Sequence, residues 1–157
     1  MASATQFVNY YNAYPDNDEV KQLYVEAQGM TYAGAGERHV QICWSNGAFV
    51  GGYALQTIEL GGPPGGYHYV SPVVHLRRME SMGSNEQFSL GYFSRAQRNR
   101  ILALAVSVHC DMQSVLNGPR VWVRDLLEAM VRAELLPMTT FAEISARVPL
   151  PRRVMGA

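Results

Sequence analysis

Regular helix punctuation in this chain begins at Ser94. Ser94 and Gln97 have capping-box spacing ahead of "RNRILALAVSVHCDM", where Ile101, Leu104, Ala105, Val108 and Met112 form one apolar stripe. Asn117-Gly118-Pro119 then closes one element and opens another, with Pro119 suited to the first helical position. Val123, Leu127, Met130 and Val131 carry the buried face on to about Leu136, and Thr140 with Glu143 announces a short third helix. Before Ser94 the period is two. Leu23, Val25 and Ala27 alternate as in a strand, and "RHVQICWSNGAFVGGYALQTIEL" reads as a hairpin turning at Ser45-Asn46-Gly47. "YHYVSPVVHLRRME" resumes β character, with Pro72 implying an edge or a bulge. "TYAGAGE", "GGPPGG" and "SMGSNEQF" read as loops, residues 1–18 as an irregular arm packed through Tyr10, Tyr11 and Tyr14, and residues 148–157 as a tail. Strands first and helices last predict an α+β fold in one domain over residues 1–157, a small, mainly antiparallel sheet covered by the C-terminal helices.

Charge and composition narrow the partners. Lysine plus arginine and aspartate plus glutamate number 13 each, so no general electrostatic pull toward nucleic acid or an anionic membrane is expected. "HLRRME" holds too few basic groups to alter that. Cys43 and Cys110 lack zinc-ligand spacing, so no thiolate metal site is expected, and His109 beside Cys110 reads as structural. Neither "GAGERH" nor "GGPPGG" sits in the strand–glycine–helix context that cradles phosphates, and no nicotinamide, flavin or ATP signature is present. The expectation is a protein working without cofactor or metal. With no signal-like start and no long apolar run, it is expected to be soluble and cytoplasmic, with a hydrophobic small molecule as partner and a homodimer as an open alternative.

"RHVQICW" and "NGPRVWVRDLLEAM" together resemble the two motifs of permuted papain-like folds, the group that includes NlpC/P60-type and lecithin-retinol-acyltransferase-like proteins and uncharacterised fungal families. The resemblance runs from about Leu23 to Leu136. It implies a histidine on a strand, here His39, facing a cysteine at a helix N-terminus. Pro119 stands at that cysteine position. A helix N-terminus favours a thiolate, and a nearby histidine completes the nucleophile, so the proline removes the family's covalent chemistry. Cys43 shares the strand face of His39, but four residues of strand separate them by about 13 Å.

A changed chemistry therefore leads the expectations: a cofactor-independent cyclase or isomerase of pericyclase type, acting on a hydrophobic intermediate by conformer selection and carbonyl hydrogen bonding. The fungal natural-product setting is implied only by the resemblance. His39 and Arg120 are the expected catalytic groups. Tyr32, Gln41, Tyr53, Tyr69, His75 and Trp122 are the expected substrate-binding residues, with Tyr32, Tyr53, Tyr69 and Trp122 walling an enclosed apolar pocket. A non-catalytic papain-like binding module and a cysteine hydrolase using Cys43 or Cys110 are the alternatives.

Overall fold

The computed structural model describes residues 8–29, 38–63, 65–108 and 117–155. Tyr32, His109, Cys110 and Met112 lie outside them. Seven strands and four helices are found among the described residues: β1 (Lys21–Ala27), β2 (Val40–Phe49), β3 (Gly52–Ile58), β4 (Leu60–Gly61), β5 (His68–Tyr69), β6 (Val73–Arg78), α1 (Met79–Met82), β7 (Glu86–Phe93), α2 (Arg95–Ser107), α3 (Pro119–Arg132) and α4 (Met138–Arg147). The fold is α+β. Its main sheet has five strands in the order β6-β3-β2-β1-β7, every neighbouring pair antiparallel, and β4 and β5 form a separate two-stranded ribbon.

Alternation gives the sheet two unlike faces. Leu23, Val25 and Ala27 of β1 and Val40, Ile42 and Trp44 of β2 are fully buried, in one core with Trp122, Val123, Leu126, Leu127 and Met130 of α3. Each Val, Leu, Ile or Met among them contributes roughly 1.5–3 kcal/mol on burial. The opposite face carries Tyr24 opposite Cys43, Glu26 opposite Gln41, and Leu55 opposite His75. That second face is where polar groups collect.

Helix starts follow the sequence at two of three places. Ser94 Oγ accepts from the Gln97 N–H at 3.2 Å, and Gln97 Oε1 accepts from the Ser94 N–H at 2.8 Å, completing the capping box of α2. Pro119 opens α3 behind the extended Gly118. α4 instead starts at Met138 behind Pro137, two residues after the leucine pair Leu135-Leu136 that anchors the turn in the core. Thr140 is thus inside the helix, and the Thr140–Glu143 start is corrected.

The hairpin turn is also moved. β2 continues past Asn46-Gly47 to Phe49, and the chain reverses at Val50-Gly51, where Gly51 has φ +92°. Asn46 and Gly47 make a bulge against β3, because the Asn46 amide is drawn to Tyr14 O at 3.0 Å and Gln56 Oε1 at 2.8 Å. Strand β7, which takes in the end of the expected loop "SMGSNEQF", was not anticipated. Its alternation is interrupted by Gly91 at φ +111°, beside a register shift against β1.

Two buried arginines tie irregular segments down. Arg98 of α2 is fully buried and grips Asp16 through Nε and Nη2 at 2.9 and 3.0 Å, while also donating to the carbonyls of Asn17, Glu19 and Phe93. This fixes the arm against the sheet. Arg38 donates to the carbonyls of Gln28, Gly29 and Val148 and to Glu86 Oε1, so the entry to β2 is locked to β7 and the tail.

Candidate functional site

The order β6-β3-β2 places β3 between two histidine-bearing strands, and Glu59, the residue after β3, is where they meet. His39 precedes β2, its carbonyl accepting from the Gln28 N–H at 2.9 Å, and His75 lies in β6 opposite Leu55. Nε2 of His39 is 3.2 Å from Glu59 Oε2, and Nε2 of His75 is 3.2 Å from Glu59 Oε1. Each carboxylate oxygen holds one imidazole.

The electrostatics follow from that bridge. Burial pushes the Glu59 carboxyl up, but the hydrogen bonds and charges of His39 and His75 outweigh it and bring its pKa down to about 2. The Glu59 hydrogen bond raises His39 above its ordinary 6.5, against the opposing effect of burial. At neutral pH Glu59 is therefore an anion holding His39 toward its cationic form.

These three groups line one wall of a cavity of about 510 Å³, with His68, Leu60, Gly61, Gly62, Val70, Val73 and Pro119 around the rest. Leu60 and Val73 are buried and Val70 is 53% exposed, so the apolar side leads from the core out to the mouth. Pro119 brings the start of α3 to the same cavity. Among the described residues no group of three or more His, Cys, Asp or Glu has the geometry to hold a metal ion. A second cavity, of about 430 Å³, is lined by polar residues including Lys21, Tyr24 and Asn46. There the Lys21 ammonium is already bound to Asp16 at 2.8 Å and Asn46 at 3.0 Å.

The expected site residues are only partly gathered. His39 and His75 line the larger cavity together; Arg120, half-buried on the first turn of α3, is not among its lining residues, whereas its neighbour Pro119 is. Gln41 is buried, donates to Glu26 at 2.8 Å and is not among the lining residues. Trp122 is a core residue, 1% exposed, and Tyr69 packs against it with ring centroids 5.0 Å apart. Tyr53 is 38% exposed on β3 and outside the lining. Of the expected aromatic wall, Trp122 lies in the core with the partly buried Tyr69 packed against it, and none of these three lines this cavity, whose lining is aliphatic, glycine and imidazole-bearing. Cys43 is fully buried beside Tyr24, with burial pushing its thiol well above the ordinary value, and it is not a lining residue.

Glu59 and Glu26 are not among the residues the sequence singles out, and His68, with Tyr67 and Tyr69 after the glycine connector, reads there as part of a packed strand. Glu59 carries one usable signal, a carboxylate near the end of a β-rich run, separated only by Leu60 from the glycine connector. Comparison of the chain with family models, curated proteins and solved structures gives no match.

Proposed function

We propose that this protein is a cofactor-independent isomerase or cyclase for a hydrophobic carbonyl compound, with His39, Glu59 and His75 as its polar machinery. The observation that carries the reading is the carboxylate bridging two imidazoles at 3.2 Å on the wall of a cavity whose other lining residues are Leu60, Gly61, Gly62, His68, Val70, Val73 and Pro119. Such a cavity suits an apolar substrate with one polar function. A substrate carbonyl set against His39 gains a positive charge where enolate charge develops. His75 then takes a proton from the adjacent carbon, and the C–H electron pair moves into the dienolate. Return of that proton to the far carbon completes an allylic shift, or the dienolate closes on an internal acceptor that then takes the proton from His75; neither route needs an oxidant or reductant. The aliphatic wall folds the chain into the reactive conformer. The papain-like resemblance fits this reading through Pro119, which puts a non-nucleophilic residue at the cavity.

2-Naphthol, a planar enolate mimic, tests the site without knowledge of the substrate. The reading expects saturable binding by fluorescence that weakens roughly tenfold or more in His39→Gln, as for loss of one charged contact. Binding unchanged in that variant would remove His39 from the site. Binding without any turnover of carbonyl probes would leave a non-catalytic module.

A further inference from the structure

The larger cavity has a third imidazole, His68, that the reaction above does not use. Its placement follows from alternation along two short stretches. Ile58 and Leu60 are core residues, so Glu59 and Gly61 face the other way. Tyr67 is buried in the same core and Tyr69 packs against it, so His68 between them also faces the other way. The register pairs His68 with Gly61. His68 and Glu59 therefore stand on one face of the chain, two positions apart along it, or roughly 7 Å.

Two glycines keep the His68 ring where it is. A Cβ at Gly61 would lie 3.5 Å from Nε2 and 3.7 Å from Cε1 of His68, so the ring spans the place of the missing side chain, and a longer one there would cover Nε2. Gly62 has φ +92°, and a Cβ on it would collide with Gly66 O and stand 3.0 Å from Nδ1 of His68. Glycine thus lets the connector close, with the Gly66 N–H donating to Pro63 O at 2.9 Å and Gly66 O set 3.4 Å from Nδ1 of His68.

The two nitrogens of His68 are made unlike by that carbonyl. A carbonyl oxygen only accepts, so the neutral ring carries its proton on Nδ1 and its lone pair on Nε2. Among the described residues Nε2 has no hydrogen-bond partner. The Nε2 atoms of His39 and His75 are both held at 3.2 Å by Glu59, where a carboxylate takes a donor. Nor do the three imidazoles gather as metal ligands among the described residues. Proton-bearing rings stand at the Glu59 bridge, and an open lone pair stands at His68. His68 is exposed, like Val70 two residues on, whereas the Glu59 side chain is only 21% exposed, so the lone pair lies toward the mouth and the bridge lies deeper.

We infer that His68 is a ligand-binding residue whose Nε2 accepts from a hydroxyl, and that the compound taken up carries this hydroxyl at the end opposite its carbonyl. The hydroxyl is then a second polar function, held at the mouth while the carbonyl meets His39. The carbonyl end rests on the isomerase or cyclase reading; the hydroxyl end rests on His68 and the two glycines.

Fluorescence titration with 2,6- and 2,7-dihydroxynaphthalene and with 6- and 7-methoxy-2-naphthol separates a donor from mere size. Each diol and its methoxy counterpart are compared in the native chain and in His68→Phe, an exposed position where the fold is readily kept and is checked by circular dichroism. For at least one pair, the preference for the diol is expected to be roughly threefold to tenfold greater in the native chain than in the variant, as for one neutral hydrogen bond. Taking the ratio within each protein cancels stacking on the new phenyl ring and the two equivalent ends of a diol. Equal preferences in the two proteins for both pairs overturn the inference, and so does the absence of saturable binding by all four probes. Nitrogen–proton correlation spectra of the 15N-histidine-labelled protein add a check without ligand: neutral His68 with its proton on Nε2 also overturns it. A protein that shows the expected preference yet turns over no carbonyl probe keeps the hydroxyl contact and loses the functional reading.

Discussion

Nε2 of His39 stands 3.2 Å from Oε2 of Glu59. The bond joins the entry of β2 to the exit of β3, and the other oxygen of the same carboxylate reaches across to β6. Three neighbouring strands are thereby stitched at one end by a single side chain, and the stitch is also the polar wall of the larger cavity.

That stitch gives stability a defined pH window. The folded His39 lies above its ordinary 6.5, so its contribution is complete below 6.5 and is lost as pH rises through the raised value. Glu59 lies at about 2 rather than 4.5, so its contribution is complete above 4.5 and is lost as pH falls through about 2. The two overlap between 4.5 and 6.5. The unfolding temperature of the native chain minus that of Glu59→Gln is expected to be greatest in that window and to shrink on both sides. With the His39 side chain 42% exposed, the pair contributes no more than about 1 kcal/mol.

Arg98 is expected to matter far more. Replacing it by methionine leaves Asp16 with Lys21 at 2.8 Å and the more distant Arg95 at 3.7 Å, and frees three backbone carbonyls that Arg98 now satisfies. Urea unfolding should show a loss of roughly 3–5 kcal/mol, the usual result of stranding one partner of a buried pair. A loss below about 1 kcal/mol would mean that the arm is not held through Asp16.

Trp122→Ala should act on stability rather than on ligand affinity. The side chain is a core residue, 1% exposed, with the partly buried Tyr69 packed on it, so its removal leaves a cavity worth about 3–5 kcal/mol. Naphthol affinity of the folded variant, measured well below its unfolding temperature, is expected to change less than in Val70→Trp. Val70 is 53% exposed at the rim, and a bulky side chain there blocks the cavity without disturbing the core.

Native Cys43 should resist thiol reagents. Its burial and its raised thiol pKa both suppress thiolate, so labelling with a disulfide reagent is expected to follow unfolding and to accelerate with urea. Fast labelling of Cys43 in the native protein, with activity lost in step, would bring back a nucleophilic mechanism.

What the sequence made legible follows from where the physics is local. The capping box at Ser94 and the proline at the start of α3 are decided within one helical turn, and both stand where the residues place them. The turn at Asn46-Gly47 is not local. Its dipeptide suits a hairpin, yet contacts from Tyr14, Lys21 and Gln56, distant in the chain, turn it into a bulge. The site divides in the same way. His39 and His75 stand out by type, but the carboxylate that joins them depends on strand order β6-β3-β2, which no residue pattern announces. Trp122 is legible from the sequence only as a large aromatic near a helix start, suited to core or to pocket wall alike, and the demand of the core for apolar area decides its place.

The central claim is that His39, Glu59 and His75 move a proton on a hydrophobic carbonyl compound. The most direct measurement is the conversion of a β,γ-unsaturated cyclohexenone to its conjugated isomer, followed by ultraviolet absorbance in the native protein, in His39→Gln and in His75→Gln, each checked for folding by circular dichroism. The account predicts conversion faster than with free imidazole at the same concentration, lowered about tenfold to a thousandfold in either variant. A native rate no greater than that of imidazole with this and longer-chain enones, or a rate unchanged in both folded variants, would contradict it.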